Sequence, residues 1–114
     1  SRIRKLIKNK SAIQRLFHNE EISKCKKIKN SFNCFAKRFA AKEAFSKALG
    51  TGISRGIKFN EIVILNKKNG KPYIKLLNNT KLIVEKLLKK KKYKILLSIS
   101  DENNYAVAFV TIST

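Results

Sequence analysis

The sequence predicts an α+β domain with antiparallel strands. Its patterns run in separate blocks: helical spacing comes first, followed by a strand hairpin, another helix and a second hairpin. The chain has 114 residues, which is room for one domain, and 43% of them are hydrophobic. Because these apolar residues recur at helix or strand spacing, we expect a folded core in spite of the high charge.

The N-terminal third is predicted to be helical. Residues 2–17 carry apolar side chains at roughly helical spacing, and Ser11 is a candidate break between two helices. Asn19 precedes two glutamates, which predicts a helix start, since asparagine can cap the first amides and acids favour the positive end of the helix dipole. We expect this helix to end near Ile28.

Residues 32–49 give the strongest helix prediction, because alanine, lysine, phenylalanine, leucine and glutamate dominate them. Gly50 follows at the position of a left-handed C-terminal cap. The run Gly50-Thr51-Gly52 predicts a flexible loop directly after the helix.

The second half is predicted to place two hairpins around one further helix. Asn69-Gly70 is a hairpin signal, and Pro72 predicts that the strand after it lies at a sheet edge. We expect a turn over residues 101–104 in the last hairpin. The predicted strands are 61–66, 73–76, 94–100 and 105–112, and the predicted helix is 81–91.

Charge is the most unusual feature of the composition. Lysine and arginine number 27 against 7 aspartates and glutamates, which gives a net charge of +20 at pH 7. Such a surface favours an anionic partner: nucleic acid, an anionic membrane, a phosphorylated ligand or an acidic protein. Only five of the cations are arginines, the residue best suited to paired hydrogen bonds with bases and phosphates. A coding bias toward lysine, isoleucine and asparagine is an equally good explanation of the charge.

The composition also excludes several classes of protein and site. No run approaches about 18 apolar residues, so no membrane-spanning helix is predicted. His18 is the only histidine, and Cys25 and Cys34 are the only cysteines, which excludes a multi-histidine metal site and a four-cysteine zinc site. We expect His18 to be a surface residue and, in a reducing compartment, both cysteines to be thiols.

A carboxylate on the long helix is the first candidate for chemistry. At about 100° per residue, Glu43 lies in the middle of an apolar stripe, and Lys47 follows one turn later. The stripe consists of Phe32, Ala36, Phe39 and Ala40. A carboxylate buried there needs a cation, which Lys47, a partner chain or a metal ion supplies. Because Mg²⁺ takes carboxylate oxygens and shares substrate phosphates, Glu43 and Lys47 can clamp a magnesium diphosphate; an ordinary surface ion pair is the alternative.

The run of residues around Glu43 is long enough to be compared with the signatures of known families. Residues 39–53, FAAKEAFSKALGTGI, resemble the signature of the holo-[acyl-carrier-protein] synthases, the small 4′-phosphopantetheinyl transferases. Three further stretches match in the same order along the chain, so the resemblance covers nearly all of it. These stretches are Arg15-Leu16-Phe17 with Glu21, Asn69-Gly70-Lys71-Pro72, and residues 97–100 with 105–108.

The resemblance implies a 4′-phosphopantetheinyl transferase-like α+β fold. In this fold an antiparallel sheet packs against a long central helix, and three identical subunits form a homotrimer with sites between them. Residues 1–114 would form a single transferase domain that lacks the N-terminal strand of the family. That strand carries a second metal-binding aspartate, and we expect it to have been cut off or to be disordered.

The resemblance also implies a reaction. The family moves 4′-phosphopantetheine from coenzyme A to a serine of apo acyl carrier protein, for fatty-acid biosynthesis, and releases adenosine 3′,5′-bisphosphate. The serine oxygen attacks the β-phosphate while Mg²⁺ holds the phosphates, so positioning and charge neutralisation supply most of the catalysis. The implied compartment is the bacterial cytoplasm or the lumen of a plastid-type organelle.

Site residues follow position by position from the same resemblance. Glu43 matches the metal ligand on the helix, with a further role in taking the serine proton through a water, and Lys47 matches the lysine that contacts phosphate; these two are the implied catalytic residues. Arg2 and Arg15 match basic positions at which the early helix docks the acidic carrier protein. The residues implied to contact coenzyme A are Lys42, Ser46, Lys47, Gly50, Thr51, Gly52, Lys71, Pro72, Ser98 and Ser100.

One position departs from the family, and two rival functions stay open. Many members carry a histidine where this chain has Asp101, which we expect to be a turn residue. A nucleic-acid-binding basic module is favoured by charge alone, but the aromatic residues fall at core spacing. An inactive family member is favoured only by the missing strand. The resemblance implies neither a nucleic-acid nor a membrane partner.

Overall fold

The computed structural model describes residue 5 and residues 8–50, 56–102 and 105–114. Helices and strands follow each other in the predicted order, which confirms the α+β class with antiparallel strands. The helices are α1 (Lys10–Leu16), α2 (Asn19–Lys27), α3 (Ser31–Leu49) and α4 (Asn78–Leu88), and the strands are β1 (Ile62–Asn66), β2 (Pro72–Leu76), β3 (Lys94–Glu102) and β4 (Tyr105–Ser113). Arg2, Thr51 and Gly52, and with them the predicted glycine loop, lie outside the described residues.

The strands form two antiparallel hairpins. β1 pairs with β2, and Gly70 takes a φ of 89° in the turn between them, as the Asn69-Gly70 signal predicts. β3 pairs with β4 from Lys94 opposite Ser113 onward. In the described residues β2 packs beside β3 without a shared hydrogen-bond ladder, so the single sheet expected from the resemblance is two two-stranded sheets here.

Helix α3 has the predicted extent and the predicted caps. The side chain of Asn30 accepts a hydrogen bond from the amide of Asn33 at its start. Gly50 ends the helix with a φ of 79°, a left-handed conformation that glycine adopts without a steric penalty. Its amide donates to the carbonyls of Ser46 and Lys47.

Two local predictions are wrong. The cap of α2 is His18 rather than Asn19: its Nδ1 accepts from the amide of Glu20, and the side chain of Glu21 accepts from the amide of His18. In the last hairpin β3 continues through Glu102, so Asp101 lies opposite Ala106 in the ladder instead of in a turn. An imidazole nitrogen can accept a hydrogen bond at the start of a helix as an amide oxygen does. In a long hairpin, strand pairing can continue through residues whose composition is typical of a turn.

The hydrophobic core consists of two clusters. In the larger one, Ala41 and Phe45 of α3 belong with Ile64 of β1, Val84 of α4 and Leu97 of β3. The smaller cluster lies among the first three helices and contains Ile13, Phe17, Phe35, Cys25 and Cys34.

A disulfide crosses the smaller cluster. Cys25 and Cys34 are bonded, with Cα atoms 5.4 Å apart, so the expectation of free thiols is wrong. The reason is the short connection between α2 and α3, which brings the end of one helix beside the start of the next.

Membrane-spanning helices are absent from the described ranges. No helix among them combines the length and the apolar character needed to cross a bilayer.

Candidate functional site

The two predicted catalytic residues lie on the outer side of α3. Glu43 and Lys47 are both exposed. Within the described part of the chain no ion pair joins them, so the alternative of an ordinary surface pair is not formed. The carboxylate of Glu43 therefore faces solvent, and no cation pairs with it among the described residues.

The expectation that Glu43 is buried in an apolar stripe is wrong for this chain. At about 100° per residue, the middle of the buried side of α3 lies about 130° away from Glu43 around the helix. Around Glu43, the four stripe residues are only half-buried. Apolar residues thus lie on two sides of α3, and in the stripe Phe39 packs against both core clusters, with its ring centroid 5.9 Å from that of Phe59. The buried side consists of Cys34, Phe35, Arg38, Ala41, Lys42, Phe45 and Ser46.

Two residues predicted to contact coenzyme A belong to the core side instead. Lys42 is fully buried, and its Nζ donates to Oε1 of Glu21 at 2.7 Å, to the carbonyl of Phe59 at 2.7 Å and to that of Ile62 at 2.6 Å. An ammonium has three N–H donors, so in this structure all of them are used inside the fold and Lys42 is not placed at a ligand site. Ser46, at 2% exposure, is likewise withdrawn from the surface.

Glu21 completes a buried ion pair with Lys42. The glutamate is fully buried, and its Oε2 accepts a hydrogen bond from the amide of Ile64 at 3.1 Å. Burial lowers the pKa of Lys42 to about 8, and the negative charge and hydrogen bond of Glu21 oppose this shift. Sequence reasoning missed this pair, because the two residues are 21 positions apart and neither lies in a charged run.

A cationic cleft of about 290 Å³ lies between α2, α3 and the first hairpin. Its walls include Lys24, Lys37 and Arg38. The Oδ1 of Asn66 accepts hydrogen bonds from Nζ of Lys24 at 2.8 Å and from Nη2 of Arg38 at 3.1 Å. Burial lowers the pKa of both cations, and for Lys24 the neighbouring charge of Arg38 lowers it further. The cleft is thus a concave site in which positive charges crowd together.

Arg38 is the least satisfied cation of this cleft. It is 6% exposed, and its Nη1 donates to the carbonyl oxygen and the Sγ of Cys34. Its Nε is buried and finds no hydrogen-bond partner among the described residues. Sequence analysis did not single out Arg38; its place one turn before Lys42, on the same side of α3, is the signal that could have indicated it.

Asp101 contacts two of the residues that line the cleft, Asn33 and Lys37. Its Oδ2 lies 3.1 Å from Nζ of Lys37 and accepts a hydrogen bond from Nδ2 of Asn33 at 3.2 Å. Although partial burial raises the pKa of Asp101, the hydrogen bonds from Asn33 and Lys37 outweigh it, and the pKa lies below its usual value. Asp101 is therefore an ionised partner of two cleft residues rather than a turn residue.

The other predicted site residues are spread over the surface. Pro72 lines the cleft, and exposed Lys71 precedes it on the hairpin. Ser98 and Ser100 are exposed on the outer face of β3, and Ser98 lies opposite Phe109. Gly50 is exposed after α3, and Arg15 is exposed on α1 beside a separate, mostly apolar pocket with Leu16 and Phe59. One chain alone therefore does not gather at one place those predicted residues that the structure describes.

The donors for a metal ion are few in the described residues. No group of three or more histidine, cysteine, aspartate or glutamate side chains occurs among them. Glu43 offers an exposed carboxylate, the ligand type that Mg²⁺ prefers, and Mg²⁺ commonly takes one or two protein carboxylates and completes its shell with water and substrate phosphates. The exposed Glu43 fits this chemistry as one protein ligand.

Comparison with known proteins confirms the family that the motifs indicate. The chain matches the 4′-phosphopantetheinyl transferase superfamily over residues 1–110. The holo-[acyl-carrier-protein] synthase of Pelagibacter ubique is 46% identical over 111 residues, which are 97% of this chain and 87% of that protein.

Solved structures agree with the sequence comparison. The Neisseria meningitidis holo-[acyl-carrier-protein] synthase has a TM-score of 0.82 and 34% identity, over 99% of this chain and 89% of that one. The Bacillus anthracis synthase, in complex with CoA (3′,5′-ADP), has a TM-score of 0.78 and 31% identity, over 99% of this chain and 87% of that one. With sequence and structure both matched over almost its whole length, this chain belongs to the 4′-phosphopantetheinyl transferase superfamily.

Proposed function

We propose that the protein is a holo-[acyl-carrier-protein] synthase, which transfers 4′-phosphopantetheine from coenzyme A to a serine of apo acyl carrier protein for fatty-acid biosynthesis. One observation carries the proposal: 99% of the chain superposes on a holo-[acyl-carrier-protein] synthase solved with coenzyme A. The curated relative named above carries the same name at 46% identity. Residues 1–114 act as one transferase domain.

In the transfer, a bond forms between the serine oxygen and the β-phosphorus of coenzyme A. The bond from that phosphorus to the bridging oxygen breaks, and adenosine 3′,5′-bisphosphate leaves with the electron pair. The serine proton passes through a water to the carboxylate of Glu43, which is exposed and has no described cationic partner. The ammonium of Lys47, one turn away, lies beside the phosphate oxygens and offsets their growing charge.

We propose Mg²⁺ as the metal, with Glu43 as a ligand. When bound, the ion neutralises phosphate charge and orients the diphosphate. Glu43 alone among the described residues serves this site in our proposal, and the remaining shell belongs to water and to the substrate.

The cationic cleft is the place that we propose for the charged nucleotide end of coenzyme A. Pro72, which the family motif assigns to coenzyme A, lines it together with Lys24, Lys37 and Arg38. A phosphate oxygen there would satisfy the unpartnered Nε of Arg38 and relieve the repulsion among the three cations. Lys71, Ser98 and Ser100 stay with coenzyme A in the proposal as exposed residues of the two hairpins.

We further propose a homotrimer with sites between subunits. The outer face of β3–β4 exposes two aromatic side chains, Tyr105 at 60% and Phe109 at 69%. Neighbouring subunits would cover both and would bring Glu43 of one chain near the cleft of another. In that assembly α3, with 19 residues, is the long central helix against which the strands pack.

The carrier protein is proposed to dock at α1. Arg15 is exposed there, and the chain carries a net charge of +20, which attracts an acidic partner and raises the association rate. Arg2 belongs to the same docking surface in the proposal. Because the relatives named above come from bacteria, we propose the bacterial cytoplasm as the compartment of the reaction.

Intact mass spectrometry of an apo acyl carrier protein tests the proposal. The carrier is incubated with the full-length protein, coenzyme A and Mg²⁺, and a mass gain of one phosphopantetheine that disappears with a chelator is expected. The matched control is Glu43→Gln. No mass gain with the wild-type protein, together with tight RNA binding at physiological salt, would contradict the proposal and favour the nucleic-acid-binding alternative.

A further inference from the structure

We infer that the buried Glu21–Lys42 ion pair positions the active site, because it fixes the rotation of α3 about its axis and so the direction in which Glu43 and Lys47 face. This inference rests on the proposed function of Glu43 and Lys47. It concerns two residues that touch neither coenzyme A nor the carrier protein in our account.

Three hydrogen bonds hold the ammonium group of Lys42 in place. Its Nζ donates to Glu21 of α2, to the carbonyl of Phe59 in a short 3₁₀ turn and to the carbonyl of Ile62 at the start of β1. These hydrogen bonds measure 2.6 to 2.7 Å. Hydrogen bonds are directional, whereas apolar contacts allow small rotations, so the three bonds restrict the helix in a way that packing does not.

Glu21 is held as firmly as its partner. Its Oε1 accepts from Lys42 and from the amide of His18, and its Oε2 accepts from the amide of Ile64 in β1. The pair therefore joins α2, α3 and β1 at one fully buried point.

Because Lys42 neighbours Glu43 in the chain, holding Lys42 in place also limits the movement of Glu43. Lys42 is the residue directly before Glu43, so the two share a peptide unit. A carboxylate about 6 Å from the helix axis moves by about 1 Å when the helix rotates by about 10°. A misplacement of about 1 Å can lower a reaction rate about 100-fold. A small rotation of α3 is thus enough to lower the rate of the reaction that we propose for Glu43 and Lys47.

Stability alone is a poor explanation of the pair. Removing two charges from water carries a desolvation penalty, and buried ion pairs can often be replaced by neutral residues without loss of stability. Arg38 adds a second polar anchor one turn earlier, through Asn66 of β1. Two consecutive turns of α3 are therefore fixed by directional bonds on the side opposite the proposed chemistry.

The test compares a neutral pair with a packing control. The double variant Glu21→Gln/Lys42→Met removes both charges and keeps the side-chain volumes similar, although the carbonyls of Phe59 and Ile62 lose their donor; circular dichroism and urea unfolding establish first that it folds. Val84→Ala removes apolar volume from α4 in the main core and controls for lost stability. For each protein we would measure kcat, KM for coenzyme A and for the carrier protein, and the affinity of the free protein for Mn²⁺ by electron paramagnetic resonance.

The double variant is expected to lose about 10- to 100-fold in kcat, with both KM values within about threefold of wild type, and to bind Mn²⁺ more weakly. Val84→Ala should keep kcat within about twofold. A kcat within about twofold of wild type for the folded double variant overturns the inference. If the double variant does not fold, Glu21→Asp replaces it: the charge is kept, the side chain is one methylene shorter, and an unchanged kcat overturns the inference equally.

A parallel variant separates this inference from the proposed function. If Glu43→Gln keeps wild-type kcat, the proposed role of Glu43 is wrong and the inference falls with it. If Glu43→Gln is inactive while the neutral pair has normal kcat, only the positioning role is wrong.

Discussion

The two sides of α3 differ in how their charged residues are bonded. On the core side, Arg38 and Lys42 are buried, and Lys42 has every donor satisfied by the rest of the fold. On the outer side, Glu43 and Lys47 are exposed and unpaired among the described residues. Saturated polar groups fix a structure, whereas unsaturated ones are free to bind a ligand. Proton and phosphate chemistry is therefore expected at Glu43 and Lys47 and rigidity at Lys42, whereas Arg38, whose Nε has no partner among the described residues, is the core-side residue left to bind a ligand.

The largest effect is expected on the outer side. Glu43→Gln should lower transfer at least about 100-fold, because it removes the proton acceptor and metal ligand that we propose. Since Glu43 is exposed, the free energy of unfolding should stay within about 0.5 kcal/mol of wild type. Turnover assays and urea unfolding on the same sample check both parts, and normal turnover would refute the assignment.

A single substitution on the core side should mainly lower the free energy of unfolding. Lys42→Met leaves Glu21 as a buried carboxylate without its cation, so the free energy of unfolding should fall by about 3–5 kcal/mol. The double variant Glu21→Gln/Lys42→Met should recover the part of that loss that comes from the unpaired charge, while the carbonyls of Phe59 and Ile62 stay without their donor. Equal stability of the single and double variants in urea unfolding would argue against a coupled pair.

The same pair predicts a pH dependence. Burial lowers the pKa of Lys42 to about 8 in the folded chain, from an ordinary value of 10.5. Between these values the unfolded chain binds the proton more often, so the free energy of unfolding should rise with pH from about 8 to 10.5, by at most about 3 kcal/mol. Relative to the neutral-pair variant, wild type should gain stability across this window; parallel curves would contradict the assignment.

Element prediction from the sequence succeeded where the signals are local. The extent of α3, the cap at Gly50 and the turn at Gly70 depend on neighbouring residues, and the structure confirms all three. The prediction that Glu43 lies on the buried side of α3 was wrong. The helix is apolar on two sides, and hydrophobic periodicity alone cannot say which side the rest of the chain covers. The sides are distinguished by partners distant in sequence, such as Glu21 for Lys42 and Asn66 for Arg38.

A smaller effect is expected at the N-terminal end of α3. The Cys25–Cys34 disulfide closes a loop with a sequence separation of 9, for which chain entropy predicts about 2–3 kcal/mol of stabilisation. Unfolding in urea with and without a dithiol reductant measures this, and Cys25→Ser/Cys34→Ser should match the reduced protein. Unequal stabilities of these two forms would show that the reductant acts elsewhere.

The smallest effect concerns docking away from α3. Arg15→Glu should raise KM for the carrier protein about tenfold and leave KM for coenzyme A nearly unchanged, since it reverses one charge on the proposed docking surface. Lys81→Glu makes the same charge change on exposed α4 and is the control. Equal shifts in the two KM values of Arg15→Glu would refute docking at α1.

A crystal structure of the protein with coenzyme A is the most direct test of the division between the two sides of α3. We predict the nucleotide in the cleft of Lys37 and Arg38, the diphosphate beside Glu43 and Lys47 of a neighbouring subunit, and Lys42 still bonded to Glu21. A diphosphate bound to Lys42, with the buried ion pair open, would contradict the account.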